Sequence, residues 1–309
     1  MTWQKQGLIY CANGETSWAQ HSFMTPCPWV RDDETIRVFG GMRDNSGISR
    51  IGWIDVDIRD PRIVKAVSKT PVLDLGAPGM FDDNGIILGE ILEVSETELR
   101  LYYIGFQLVA KAKFLAFTGV AISHDRGDSF ERYSATPVID RCPDGPFIGA
   151  LHSIAKLPEG GYRAWMSRGW GWQNIDNQLY PEYDCWTVTS PDGLCFDNSK
   201  AQRIIAPNQH EYRIGRPRAN RVSDGTWELR ATSDTFQKNY ASYRFISPDG
   251  VNFTRTDDEE LPRGAKGAWD DQMTCYPAYL KVPDTTEFLF YNGNDMGRTG
   301  VGLAKRVQT

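Results

Sequence analysis

The sequence is informative first for what is missing from it. Its six cysteines, Cys11, Cys27, Cys142, Cys185, Cys195 and Cys275, include no Cys-x-x-Cys pair, which excludes the usual zinc and redox motifs. No apolar run approaches the length of a membrane helix. No basic run offers the face that nucleic acid or an anionic membrane meets, and the formal net charge is −6. There is no Walker loop, no dinucleotide fingerprint and no His-Glu-x-x-His, nor a serine in a nucleophile-elbow context. No metal, cofactor, nucleic-acid partner or membrane partner is therefore expected. The first residues, Met1-Thr2-Trp3-Gln4-Lys5-Gln6, show no basic-then-apolar signal segment, so reduced thiols and a cytoplasmic location are expected. Helical periodicity is scarce as well.

What is there points to an all-β chain. Apolar residues make up 40% and charged residues 24% of 309 residues, enough for a packed core. Ten Trp, 13 Tyr and 14 Phe favour strands and supply faces that stack on sugar rings. Short runs rich in β-branched and aromatic residues, such as 36–40, 99–104, 162–166, 227–231 and 287–291, are bounded by Gly, Pro, Asn and Asp. The pattern Ser123-His-Asp125-Arg-Gly127-Asp-Ser-Phe130 recurs as Ser190-Pro-Asp192-Gly193-Leu-Cys-Phe196 and as Ser247-Pro-Asp249-Gly250-Val-Asn-Phe253, after 67 and then 57 residues. Each copy follows a strand-like run and marks a hairpin turn. Used as a ruler, it divides residues 1–309 into five similar units, which predicts one five-bladed β-propeller with a central funnel. Residues 3–12 are expected to add an outer strand to the last blade and close the ring. A β-sandwich, the competing architecture, predicts no such repeat.

In a propeller the first strand of each blade lines the axis. Blade two offers Phe81-Asp82-Asp83-Asn84 and blade five Trp269-Asp270-Asp271-Gln272, an aromatic and two acids at the same point of two units. Strand alternation sends one acid of each pair into the funnel; the competing reading is that these aspartates cap turns. Blade four carries Glu211, Arg213, Arg216 and Arg218. Three arginines in six residues suit a phosphate or carboxylate ligand, or balance neighbouring aspartates. Blade three offers His152 on an apolar strand, where a core histidine fits equally, and blade one offers His21, with Arg43 leaning to the same mouth. Trp170 and Trp172 offer faces to a sugar or form a surface cluster. Tyr276, Asn292 and Asn294 complete the candidate binding residues, the two asparagines reading first as hairpin-turn residues.

These features resemble the five-bladed propellers of the glycoside hydrolase family 43, 32, 68 and 130 superfamily, through the Phe81-Asp82-Asp83 start, the Ser-Pro-Asp-Gly hairpins and the Tyr291-Asn292-Gly293-Asn294 end. More closely, the chain looks like bacterial relatives associated with surface-polysaccharide synthesis, which carry Trp-Asp before Tyr-Pro (Trp269-Asp270 and Tyr276-Pro277) and Arg-Pro in blade four (Arg216-Pro217). The resemblance implies a carbohydrate, sugar-nucleotide or sugar-phosphate ligand. The hydrolases place acids on blades one, two and three; this chain has His21, Asp82 or Asp83, and His152 there. The expectation is an enzyme that cleaves or transfers a glycosidic or sugar-phosphate bond. Asp83 and Glu211 are expected as proton donor and base or nucleophile, Asp270 as a tuning group, and Arg216 and Arg218 as the anion holders. The alternatives are a non-catalytic glycan- or sugar-nucleotide-binding propeller, or a sugar isomerase or group-transfer enzyme using His152 or His21. A monomer and a dimer fit the composition equally.

Overall fold

The computed structural model describes residues 2–307 apart from Ser223, Asn239, Asp284 and Thr285. Strand β1 (Thr2–Tyr10) is followed by a unit of β2 (His21–Asp32), β3 (Thr35–Arg43), β4 (Ser49–Asp57) and β5 (Val64–Val67). The second unit is β6 (Ile86–Ser95), β7 (Glu98–Gln107), β8 (Leu115–Ser123) and β9 (Glu131–Arg132). The third is β10 (Ile148–Lys156), β11 (Tyr162–Ile175), β12 (Gln178–Ser190) and β13 (Gln202–Ile205). The fourth is β14 (Glu211–Arg221), β15 (Trp227–Thr235), β16 (Ala241–Ser247) and β17 (Thr254–Glu259). The last is β18 (Cys275–Lys281), β19 (Glu287–Asn292) and β20 (Val301–Val307), and β1 pairs antiparallel with β20 as its outer strand. Every unit is an antiparallel meander, and a short parallel bridge of β10 to β8 links units two and three. The first strands touch in a closed cycle, β2 to β6 to β10 to β14 to β18 and back to β2. The fold is a β-propeller around a central funnel.

The core lies between neighbouring units. Phe39 and Ile51 of unit one meet Leu88, Leu101 and Phe117 of unit two, and Ile36 and Val38 meet Phe288 and Phe290 of unit five on the other side. Each such side chain contributes about 1.5–3 kcal/mol by leaving water. The repeated hairpins act as clasps over these seams. Ser123, Ser190 and Ser247 accept the N–H of Gly127, Gly193 and Gly250 at 2.8, 2.9 and 2.9 Å. The carbonyls of those three glycines then accept Arg37 (3.0 Å), the Tyr102 hydroxyl (2.9 Å) and the Trp165 indole (3.0 Å) from the second strand of the preceding unit.

One irregularity recurs in every first strand. The pairing with the second strand slips by one residue at Thr25-Pro26, Gly89, His152, Arg216-Pro217 and Tyr276-Pro277. Thr25, Arg216 and Tyr276 have φ of 55°, 59° and 54°. Proline has no N–H for a ladder, so a bulge is where a strand tolerates it. A bulge also re-aims the side chain at its extra residue. Non-glycine residues held in the left-handed region cost about 1–3 kcal/mol each and cluster at functional sites.

Candidate functional site

The bulges gather His152, Arg216 and Tyr276 at the axis. Arg216 is buried; its N–H donates to the Ser167 hydroxyl at 3.0 Å and its Nη2 to the Leu88 carbonyl at 2.7 Å. Its guanidinium lies 4.9 Å from the centroid of the Tyr276 ring. The Tyr276 hydroxyl sits 3.0 Å from that of Tyr240. The buried Nε of Arg216 and Nδ1 of His152 make no hydrogen bond among the described residues. Arg43, at the end of β3, lies within Coulombic range of Tyr276 and Arg298. It has a buried Nε without a partner, and no hydrogen bond or ion pair is made by its side chain among the described residues. His21 is paired with Arg43 across β2 and β3, and its Nδ1 lies 2.7 Å from the Ser22 hydroxyl.

Arg218, two residues beyond Arg216, has a different role. Its Nη1 donates to the Gly89 carbonyl at 2.8 Å and to the His152 carbonyl at 3.4 Å, and its Nη2 to Glu90 at 2.8 Å and to the Cys27 sulfur at 3.3 Å. It therefore bolts β14 to β6, β10 and β2. Burial works against its charge, but Glu90 carries its pKa above the ordinary arginine value. Among the described residues, Arg216 has no such acid. Burial, with Arg218 beside it, lowers its pKa to about 10. Burial and the two arginines hold His152 well below the usual histidine value, so it is neutral at pH 7.

The expected acids are elsewhere. Asp82 is buried and takes the Arg132 Nε at 2.8 Å, while Asp270 takes Lys5 at 2.6 Å and the Tyr291 hydroxyl at 2.9 Å. Asp83 accepts the Gly79 N–H at 2.8 Å, and Asp271 the Gly267 N–H at 2.7 Å. The segments Gly76-Ala-Pro-Gly79-Met-Phe81-Asp82-Asp83 and Gly264-Ala-Lys-Gly267-Ala-Trp269-Asp270-Asp271 are thus one loop used twice. In each, the first acid ties down a cation and the second caps the turn. Glu211 pairs with Arg255 at 2.8 Å and accepts the Asn208 N–H at 3.1 Å. The expected roles of Asp83 and Glu211 as proton donor and base, tuned by Asp270, therefore meet carboxylates already engaged in loop caps and ion pairs.

Simple strand alternation does not hold along β14. A second bulge, between Glu211 and Arg213, makes Tyr212 and Arg213 converge on the carboxylate of Asp234, with Arg213 at 2.7 Å. Asn292 is a bracket, accepting the Thr25 N–H at 2.7 Å and donating to the Phe23 and Gly300 carbonyls at 2.6 and 2.8 Å. Asn294 accepts the N–H groups of Gln272 and Met273 at 2.8 and 3.0 Å. Trp172 packs between Phe114 and Phe147, and Trp170 lies at the surface near Arg203. Of the expected residues, the structure brings Arg43, His152, Arg216, Arg218 and Tyr276 together, with His21 beside Arg43. Sequence reasoning missed Glu90, Tyr240, Asp234 and Lys238. A lone acid in the apolar run Ile86-Ile-Leu-Gly-Glu90-Ile-Leu was the available signal for Glu90. Among the described residues, no group of three or more His, Cys, Asp or Glu is placed to hold a metal ion.

No family model matches the chain. Its fold is similar to a glycoside hydrolase (14% identity, 99% of this chain and 92% of that one, TM-score 0.72) and to a thermostable family-43 glycoside hydrolase (10%, 93% and 90%, 0.66). It is also similar to a structure from work on the GH130 family of mannoside phosphorylases and on glycoside hydrolases that target β-1,2 mannosidic linkages in Candida mannan (17%, 99% and 90%, 0.66). At these identities the likeness is one of fold. Over 306 residues, 98% of this chain and 99% of the relative, the sequence is 30% identical to Rv1502 of Mycobacterium tuberculosis, and equally to MT1551 from another strain. The chain belongs to the family of these two mycobacterial proteins, and its own fold is the β-propeller shared with glycoside hydrolases.

Proposed function

We propose that this chain is a carbohydrate-active enzyme. Its first strands form five blades around a funnel, and the funnel takes a sugar bearing a phosphate or carboxylate. The observation that carries the reading is the pair Arg43 and Arg216. Both have a buried, unpartnered Nε beside Tyr276, Arg216 sits on strained backbone, and no carboxylate among the described residues bonds either one. An unpaired buried guanidinium is costly unless something neutralises it, and a forked pair of donors fits an anionic oxygen cluster. Tyr276 and Tyr240 supply hydroxyls and ring faces beside it. For the chemistry, His152 is neutral and its Nδ1 is buried without a partner among the described residues, which makes it the candidate to take a proton from a ligand hydroxyl or water that reaches it. The bond acted on is a glycosidic or sugar-phosphate bond, and the setting we favour is surface-polysaccharide metabolism in a bacterial cytoplasm.

The engaged state of Asp83, Glu211 and Asp270 favours one other reading, a propeller that binds such a sugar without turning it over. Melting temperatures with glucose 1-phosphate, galacturonate, UDP-glucose and maltotriose test the first point. At a hundredfold excess over Kd a ligand adds about 2.7 kcal/mol. A rise with the anionic sugars that is lost in Arg43→Gln supports the site; a rise with maltotriose alone overturns it. Product release from the stabilising ligand, absent in His152→Gln, supports the enzyme, and binding without release supports the second reading.

A further inference from the structure

The cations do not stop at the funnel. On one side, exposed Arg298 is within Coulombic range of Arg43. On the other, Tyr240 stands between Tyr276 and Arg213, whose guanidinium is 5.4 Å from the Tyr240 ring. Arg213 shares Asp234 with Lys238, each at 2.7 Å. The Lys238 ammonium lies 3.7 Å from the centre of the Tyr180 ring, and Lys113, from the β7–β8 connection, is within Coulombic range of it. Lys113 and Arg298 make no side-chain hydrogen bond or ion pair among the described residues. Two nearby acids are spoken for: Asp234 is 2% exposed and holds Arg213, Lys238 and Tyr212, and Asp44 is held by Arg50 at 2.9 Å.

This band of cations runs across one mouth of a chain whose net charge is −6. It alternates with aromatic faces. The β11–β12 hairpin, with strands of 14 and 13 residues, is the longest of the molecule's described hairpins and ends in a tight turn with Asp176 and Asn177 at φ of 51° and 62°. It carries Tyr180, whose ring packs 6.1 Å from Tyr212, and Tyr212 lies 5.7 Å from Phe236, which is 43% exposed. The half-buried Tyr180 and the exposed Phe236, with the cations around them, suit a ligand made of sugar rings that carry negative charge.

We infer that the ligand is an acidic oligosaccharide rather than a single sugar, with one anionic group between Arg43 and Arg216 and the next residues laid over the Tyr180–Lys238 platform toward Lys113. The inference rests on the reading that the funnel takes an anionic sugar. Each added charged residue then makes its contact intramolecularly, so affinity grows with length without a new funnel contact. Growth that depends on exposed charges weakens with salt.

Calorimetric titration of the full chain with galacturonate, trigalacturonate and hexagalacturonate tests this, with malto-oligosaccharides of the same lengths beside them, at low and high salt. The expected result is a gain of about tenfold or more from one residue to three or six. That gain is smaller at high salt, absent in the neutral series and lost in Lys113→Glu, whose melting temperature confirms folding. A gain equal in the neutral series, a gain untouched by Lys113→Glu, no gain, or no binding by any galacturonate overturns the inference. The funnel reading fails separately, when no sugar phosphate or acidic monosaccharide stabilises the chain or when that stabilisation survives Arg43→Gln.

Discussion

Arg216 and Arg218 stand two residues apart, equally buried, and should respond to mutation in opposite ways. Arg218→Met removes an ion pair to Glu90 and donors from the Gly89 and His152 carbonyls. Deleting one partner of a buried pair costs about 3–5 kcal/mol, because the remaining groups stay buried. For a chain of this size that is a fall in Tm of roughly 5–8 °C. Arg216→Gly removes one donor to the Leu88 carbonyl and the Tyr276 contact, about 2–4 kcal/mol together. Against this, glycine adopts φ of 59° freely, which returns about 1–3 kcal/mol of strain. The substitution also ends the burial of a charge facing Arg218. The terms nearly offset, so a change within about 2 kcal/mol is expected, together with loss of every ligand-induced Tm rise. Differential scanning fluorimetry of both variants, with and without sugar phosphate, reads both quantities. Arg216→Gly as damaging as Arg218→Met refutes the reasoning and makes Arg216 a second bolt of the ring.

Three further outcomes follow from the same contacts. His152 is neutral in the folded chain and titrates near its ordinary value when unfolded, so the unfolded state binds the extra proton below about pH 6.5. Stability then falls as pH drops below that value, by up to about 1.4 kcal/mol per pH unit for one proton, and His152→Gln flattens the slope in urea unfolding between pH 7 and 5. In Gly89→Ala the new Cβ would lie 2.3 Å from the Leu151 carbonyl and 2.9 Å from that of Tyr102, so a loss of about 1–3 kcal/mol in chemical denaturation is expected. Glu211→Gln weakens the pairing with Arg255 and is expected to cost stability while leaving ligand binding intact; loss of binding in a folded Glu211→Gln protein returns Glu211 to the site.

The fold was legible because its signals are local. The Ser-x-Asp hairpins are read from seven or eight consecutive residues, and the same serines, aspartates and glycines make the clasps. The clustering of arginines on β14 was legible for the same reason, but not that Asp234 and Glu90 would hold two of them. The acids were not. Asp270 is neutralised by Lys5 from the far end of the chain, 265 residues away, and Asp82 by Arg132, 50 residues away. No spacing rule reaches a partner at that distance, so neither ion pair could be read from the Phe-Asp-Asp and Trp-Asp-Asp runs. Side-chain direction was the other loss. Alternation holds only where pairing is regular, and the bulges sit where direction matters most. Thr25-Pro26, Arg216-Pro217 and Tyr276-Pro277 at matching points of three units carried that signal, since proline inside a central strand argues for a bulge.

The most direct test of the account is a crystal structure of the chain with the anionic sugar that stabilises it most. The account predicts the phosphate or carboxylate within about 3 Å of the Nε atoms of both Arg43 and Arg216, with Arg218 still bound to Glu90. An anionic group bound away from these two arginines, or drawn instead to Arg218, contradicts it.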